Sequence, residues 1–189
     1  MALGVSIISV VYAVDDLNRS ELQGVTTMSA NTADKLQVGN KAPEFSLPDE
    51  KGQTVNLKDL AKKKAVVLYF YPKADTPGCT KEACGFRDAI GQFKKLDVAL
   101  LGVSPDPVED IKKFADKFGL PFPLLADADH GVCDKYGVWR EKNNYGKKSW
   151  GAARTTFVIK DGSILHVFEN VNPEGHDQEV LNWVMENVK

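Results

Sequence analysis

The residues Ala65-Val-Val-Leu-Tyr-Phe-Tyr71 form an unbroken apolar and aromatic run that stops at Pro72. A short run with no polar position is the pattern of a strand covered on both faces, and such a strand belongs in the middle of a sheet. Layers must therefore lie on either side of it. Directly afterwards the period changes. Phe86, Ala89, Ile90, Phe93 and Leu96 recur at three and four, which predicts an amphipathic helix over about Pro77 to Leu96. Thr76 suits its N-cap and Pro77 its first position. The next buried strand is Asp97 to Val103 (DVALLGV). A strand, helix, strand order implies a right-handed crossover with the two strands parallel.

The remaining segments extend this outline to an α/β domain with a central mixed sheet and helices on both faces. Phe45 to Leu47 and Thr54 to Leu57 flank the turn-rich Pro48-Asp49-Glu50-Lys51-Gly52, which predicts an N-terminal β-hairpin, followed by a short helix over Leu57 to Lys62. Val108, Ile111, Phe114, Ala115 and Phe118 share one helical face, with Gly119 as its stop. Phe122 to Ala126 is a third short strand and His130 to Tyr136 a helical turn. Val138 to Gly151, carrying Trp139, Tyr145 and Trp150, reads as a long polar loop. Thr155 to Lys160 and Ser163 to Phe168 sit either side of Asp161-Gly162, the strongest hairpin signal in the chain, and Val180 to Val188 is a closing amphipathic helix.

Composition excludes several function classes. With 24 Lys and Arg against 26 Asp and Glu, interspersed, nothing points to a nucleic-acid partner; Lys62 to Lys64 read as a solvated helix end. The apolar N-terminus, MALGVSIISVVYAV, is too short to span a bilayer as a helix. It has the length of a signal-peptide apolar region, though no Lys or Arg precedes it, so export is preferred to a cytoplasmic location. Residues 15 to 36 are polar and aperiodic, a linker or loose arm. The expected organisation is an apolar segment and arm over 1–36 and one domain over 37–189.

Three cysteines in 189 residues cannot make a disulfide scaffold, so cysteine chemistry must be local. Cys79 and Cys84 lie five residues apart in YPKADTPGCTKEACGFRD. Zinc fits poorly, because structural sites want four ligands in paired knuckles, and no metal site is expected. Five residues along a helix give about 7.5 Å of rise and about 140° of rotation, hence a Cα separation of about 8.7 Å. A disulfide tolerates at most about 7 Å. These two thiols therefore join only if the first turns of the helix unwind. They also differ in environment. Cys79 falls in the first turn, where unpaired amides and the positive end of the helix dipole favour a thiolate. Cys84, mid-helix, has no such help.

Pro72, Thr76 and Cys79 stand in the arrangement PxxxTxxC, here PKADTPGC, which resembles the active-site signature of the peroxiredoxins. The second cysteine in CTKEAC resembles the subgroup called bacterioferritin comigratory protein or peroxiredoxin Q. The likeness runs from about Leu36 to Lys189 and includes APEFSLPDEKG, FGLPFPLLAD, YGVWREKNNYGKKSWG and RTTFVI. It implies a thioredoxin-like fold and a peroxidase for hydrogen peroxide and organic hydroperoxides that works without a cofactor. Carried over, Cys79 is the peroxidatic cysteine, Cys84 the resolving cysteine, Thr76 and Arg154 polar partners, and Pro72 the shield of the pocket. The implied reductant is thioredoxin or a similar dithiol, and the implied state a monomer, with a dimer as the alternative. Cys133 matches no required position and reads as a small buried residue. Two other readings stand beside this one: a thioredoxin-like disulfide oxidoreductase, which the missing CxxC disfavours, and a redox sensor in which Cys79 oxidises only to change partner binding.

Overall fold

A computed structural model describes the protein over residues 35–144 and 147–188. The apolar N-terminal run and most of the polar arm lie outside the described residues, as does Tyr145. A small hairpin of β1 (Ser46–Pro48) and β2 (Thr54–Asn56) leads into α1 (Leu57–Ala61). Then come β3 (Ala65–Phe70), α2 (Pro77–Lys95), β4 (Val98–Ser104), α3 (Val108–Phe118), β5 (Leu124–Ala126) and α4 (Gly131–Lys135). The chain continues through β6 (Trp139–Asn144), β7 (Lys147–Ala152), β8 (Thr155–Lys160) and β9 (Ser163–Glu169) to α5 (His176–Asn187). The main sheet has the order β5-β4-β3-β8-β9; β3, β4 and β5 are parallel, and β8 and β9 antiparallel.

β3 is central, and all of its residues are buried. Because side chains alternate along a strand, it feeds two separate cores. Val67, Tyr69 and Tyr71 pack with Phe86 and Phe93 of α2, Phe114 of α3 and Val180 of α5. Val66, Leu68 and Phe70 pack on the other side with Leu57 of α1, Cys133 of α4 and Phe45 beside the first hairpin. The unbroken apolar run is thus two alternating apolar faces. Each is covered by helices, in the thioredoxin-like arrangement.

The Asp161-Gly162 turn has positive φ at both residues (51° and 69°), the conformation a two-residue hairpin loop requires, and it pairs Lys160 with Ser163. One expectation is corrected. Residues 138–151 are no loop: Trp139–Asn144 and Lys147–Ala152 pair antiparallel as a separate two-stranded sheet. Its strands carry mostly polar residues because it joins neither face of the main sheet, so the apolar alternation that marks a half-buried strand is absent. The exceptions are Trp139, stacking on His130 at a 4.4 Å centroid distance and packing against the second core, and its partner Ala152, fully buried there, whereas Trp150 is exposed. Among the described residues no helix is long and apolar enough to cross a membrane.

Gly102 of β4 faces Tyr69 of β3 across the parallel ladder. A Cβ there would lie 2.7 Å from the Tyr69 ring and 2.8 Å from Leu124, in a fully buried layer. Gly102→Ala is therefore expected to destabilise the fold by about 1–3 kcal/mol through overpacking. Urea denaturation should show a lower midpoint with an unchanged slope; a midpoint equal to wild type would contradict this packing.

Candidate active site

The site forms where the C-terminal end of β3 meets the start of α2. Pro72, half-buried, ends the strand, and the connecting turn is held from several directions. The Ala74 amide donates to Asp106 at 2.7 Å, and Asp75, with φ of 55°, is paired to Lys117 of α3 at 2.7 Å. Thr76 takes the extended conformation of an N-cap (φ −94°, ψ 153°), but its hydroxyl does not cap the helix. It donates back to the Lys73 carbonyl at 3.0 Å. The expected cap is thus right in backbone and wrong in side chain. With the Thr76 proton committed to Lys73, its oxygen can still accept, and the Gly78 and Cys79 amides lie ahead of the first intrahelical bond, from the Thr80 amide to the Thr76 carbonyl, with no partner among the described residues.

Cys79 occupies that first turn and is 1% exposed. Arg154, just before β8, reaches across and donates from Nη2 to the Cys79 sulfur at 3.4 Å. Its Nη1 pairs with Oε2 of Glu82, one turn further along α2. One guanidinium therefore serves two acceptors on the same helix, a use of its rigid fork that an ammonium could not copy. Burial works against the Arg154 charge, yet Glu82 and Cys79 outweigh it and hold its pKa above the ordinary value. Gly78 makes room for this: a Cβ there would stand 3.3 Å from Nη2.

Glu82 escaped the sequence analysis. Its signal, an acidic residue three positions after Cys79 on an otherwise buried helix face, is visible only once that face is known to turn inward. The side chain is fully buried, and its Oε1 has no hydrogen-bond partner among the described residues. Burial pushes the carboxyl up to about 7, with Arg154 pulling the other way.

Cys84 is half-buried on the same continuous helix, and both thiols are free. The separation of about 8.7 Å that an intact helix imposes therefore applies. Cys133 is elsewhere, on α4 in the second core, with its amide on Asp127 at 2.7 Å and its thiol driven upward in pKa by burial and then by Asp127. The structure thus brings Arg154 into contact with the buried Cys79 sulfur, with Thr76 at the N-cap of the same helix and Pro72 in the turn before it, and leaves Cys133 apart in the second core.

Residues 38–167, which contain this sulfur and its arginine, match the model of the AhpC/TSA family. The chain is a peroxiredoxin of that family. A bcp-type protein of Coxiella burnetii is 52% identical over 147 residues, 77% of this chain and 97% of the relative. Peroxiredoxin Bcp of Escherichia coli is 49% identical over 152 residues, 80% and 97% of the two chains. Among solved structures, the bacterioferritin comigratory protein of Xanthomonas campestris superposes with a TM-score of 0.73 at 34% identity. It covers 77% of this peroxiredoxin and 92% of its own chain, and its structures address its alkyl peroxide reduction activity.

The Glu82 environment has a consequence for stability. A carboxyl whose folded pKa is raised favours folding when protonated, so its contribution is complete below the usual 4.5 and is lost as pH rises through about 7. Glu82→Gln, which keeps an acceptor for Arg154, should therefore gain stability relative to wild type between pH 5 and pH 7.5, by on the order of 1–3 kcal/mol. Parallel denaturation curves across this range measure it. A constant difference would show that Glu82 is ionised throughout.

Proposed function

We propose that this peroxiredoxin reduces hydrogen peroxide and alkyl hydroperoxides through attack by Cys79, with Cys84 as the resolving thiol. The observation that carries the reading is the Arg154 contact with the Cys79 sulfur in a buried first helical turn. A donor of fixed positive charge at that distance favours thiolate over thiol and faces the place where charge develops on the departing oxygen. The free acceptor on Thr76 suits the O–H of a hydroperoxide, and the open first-turn amides suit its oxygens.

The chemistry balances as follows. The Cys79 thiolate attacks the terminal oxygen of ROOH; the S–O bond forms, the O–O bond breaks, and RO⁻ takes a proton to leave as alcohol or water. Sulfur is oxidised to the sulfenic acid. The Cys84 thiolate then attacks the Cys79 sulfur, expelling hydroxide, which leaves as water, and closing the disulfide. That step requires the α2 turns between them to open. An external dithiol, thioredoxin or one like it, restores both thiols by exchange and becomes a disulfide itself. A disulfide oxidoreductase instead keeps its pair close enough to bond within the folded helix, which five residues do not allow.

The test is a pair of variants. Cys79→Ser should abolish peroxide consumption, whereas Cys84→Ser should react once and leave a sulfenic acid that dimedone labels. In wild type, one equivalent of peroxide should remove two hydrogens from the peptide spanning Tyr71 to Asp88. Turnover surviving in Cys79→Ser, or a wild-type disulfide that involves Cys133, would sink the assignment.

A further inference from the structure

Residues 171–177 lead from β9 into α5, and on the way they meet one flank of α2. A Cβ on Gly78 would lie 3.5 Å from Cγ of Pro173, Lys81 pairs with Glu174 at 2.8 Å, and a Cβ on Gly85 would lie 2.6 Å from Oδ1 of Asp177. Positions 78, 81 and 85 are spaced by three and four, so they share one face of the helix. That face runs from the residue before Cys79 to the residue after Cys84. It therefore covers the stretch that must open for the two sulfurs to join.

The segment is fastened at both ends to the main sheet. The Val171 amide donates to the Arg154 carbonyl at 3.4 Å. His176, 1% exposed, donates from Nδ1 to Glu179 at 3.0 Å and accepts at Nε2 from the Thr156 hydroxyl at 2.8 Å. Arg154 and Thr156 stand two residues apart at the start of β8, so the contacts with α2 are delivered from a fixed base. Gly85 adds to their weight. In a helix interior glycine lowers helix stability, and its missing side chain is what lets the Asp177 carboxylate lie so close. The helix is thus weak beside Cys84 and supported there from outside.

We propose that residues 171–177 are a strap that holds α2 closed, so that the Pro173, Glu174 and Asp177 contacts set how often the helix opens and how fast Cys84 reaches an oxidised Cys79. The inference rests on Cys84 being the resolving thiol. These are positioning residues, acting through the helix. The Cys79 sulfenic acid has two fates. When the helix opens, the Cys84 thiolate attacks its sulfur, the S–S bond forms and hydroxide departs. While the helix stays closed, the sulfenic sulfur can attack a second ROOH: another S–O bond forms, the O–O bond breaks, ROH leaves and a sulfinic acid remains. The strap sets the division between them.

The Lys81–Glu174 pair supplies the test, because both side chains are exposed and their exchange leaves the core intact. Glu174→Gln removes the attraction, Lys81→Glu turns it to repulsion, and Lys81→Glu with Glu174→Lys restores it with the charges exchanged. Lys112→Met, at the exposed Asp116 pair on α3, is the control. In the reduced protein at low salt, amide hydrogen exchange of residues 80–84 should quicken about twofold to fivefold in Glu174→Gln and Lys81→Glu, and return to the wild-type rate in the double swap. After one equivalent of hydrogen peroxide, disulfide formation should quicken by the same factor, and in excess peroxide the sulfinic share of Cys79 should fall with it. Sulfenic acid formation in Glu174→Gln, read in a Cys84→Ser background, should keep its rate. Unchanged exchange in Lys81→Glu, no restoration by the swap, an equal change in Lys112→Met, or faster exchange without faster disulfide formation would each overturn the proposal. A wild-type disulfide that does not join Cys79 to Cys84 would instead overturn the resolving assignment, and the exchange rates would still decide whether the strap holds the helix.

Discussion

The Arg154 guanidinium ties β8 to the first turns of α2, and the site depends on that one connection. It holds the Cys79 sulfur with one nitrogen and the Glu82 carboxylate with the other. Three charged or chargeable groups are thereby kept out of water together, an arrangement that is stable only because each has a partner. The sheet supplies the rigidity. β8 is paired with β3 along its length, so the residue just before β8 is delivered to a set place beside the helix that follows β3.

Glu82 gives that connection a second meaning. It lies between Cys79 and Cys84, on the stretch of helix that must open before the two sulfurs can meet. In the folded helix Glu82 is fully buried and tied to Arg154, so the same stretch carries a buried acid as well as the two thiols. The segment is braced from outside as well. Lys81 pairs with Glu174 at 2.8 Å, and Gly85 lets Asp177 at the start of α5 approach so closely that a Cβ would lie 2.6 Å from its carboxylate oxygen. The helix that carries Cys79 is thus held by polar contacts along its flank. Such contacts are exchanged for water at modest net cost, unlike the apolar contacts of Phe86 and Phe93 further along.

Some of this was legible in the chain alone, and the reasons are local. Strand β3, helix α2 and the Asp161-Gly162 hairpin each announce themselves through period or turn chemistry, because their burial pattern is repeated over many residues. The β6–β7 hairpin does not. It stands apart from the main sheet, with Trp139 and Ala152 at its base as its contacts with the core, so neither strand shows an apolar face. Thr76 shows a finer limit: its cap backbone was predictable from residue type, but the choice of its hydroxyl between a helix amide and the Lys73 carbonyl was not.

The sequence by itself determined the central strand, the helix start that carries Cys79, and the helical distance that keeps Cys84 out of reach, since all three follow from spacing within one segment. Only the tertiary structure decided which charges meet the sulfur. Arg154 is 75 residues from Cys79 and 72 from Glu82, and it meets both on one helix. Spacing along a chain determines what neighbours on one element can do. Which side chains converge from separate elements depends on how the sheet orders its strands, and here β8 takes the edge of β3 that β4 leaves open.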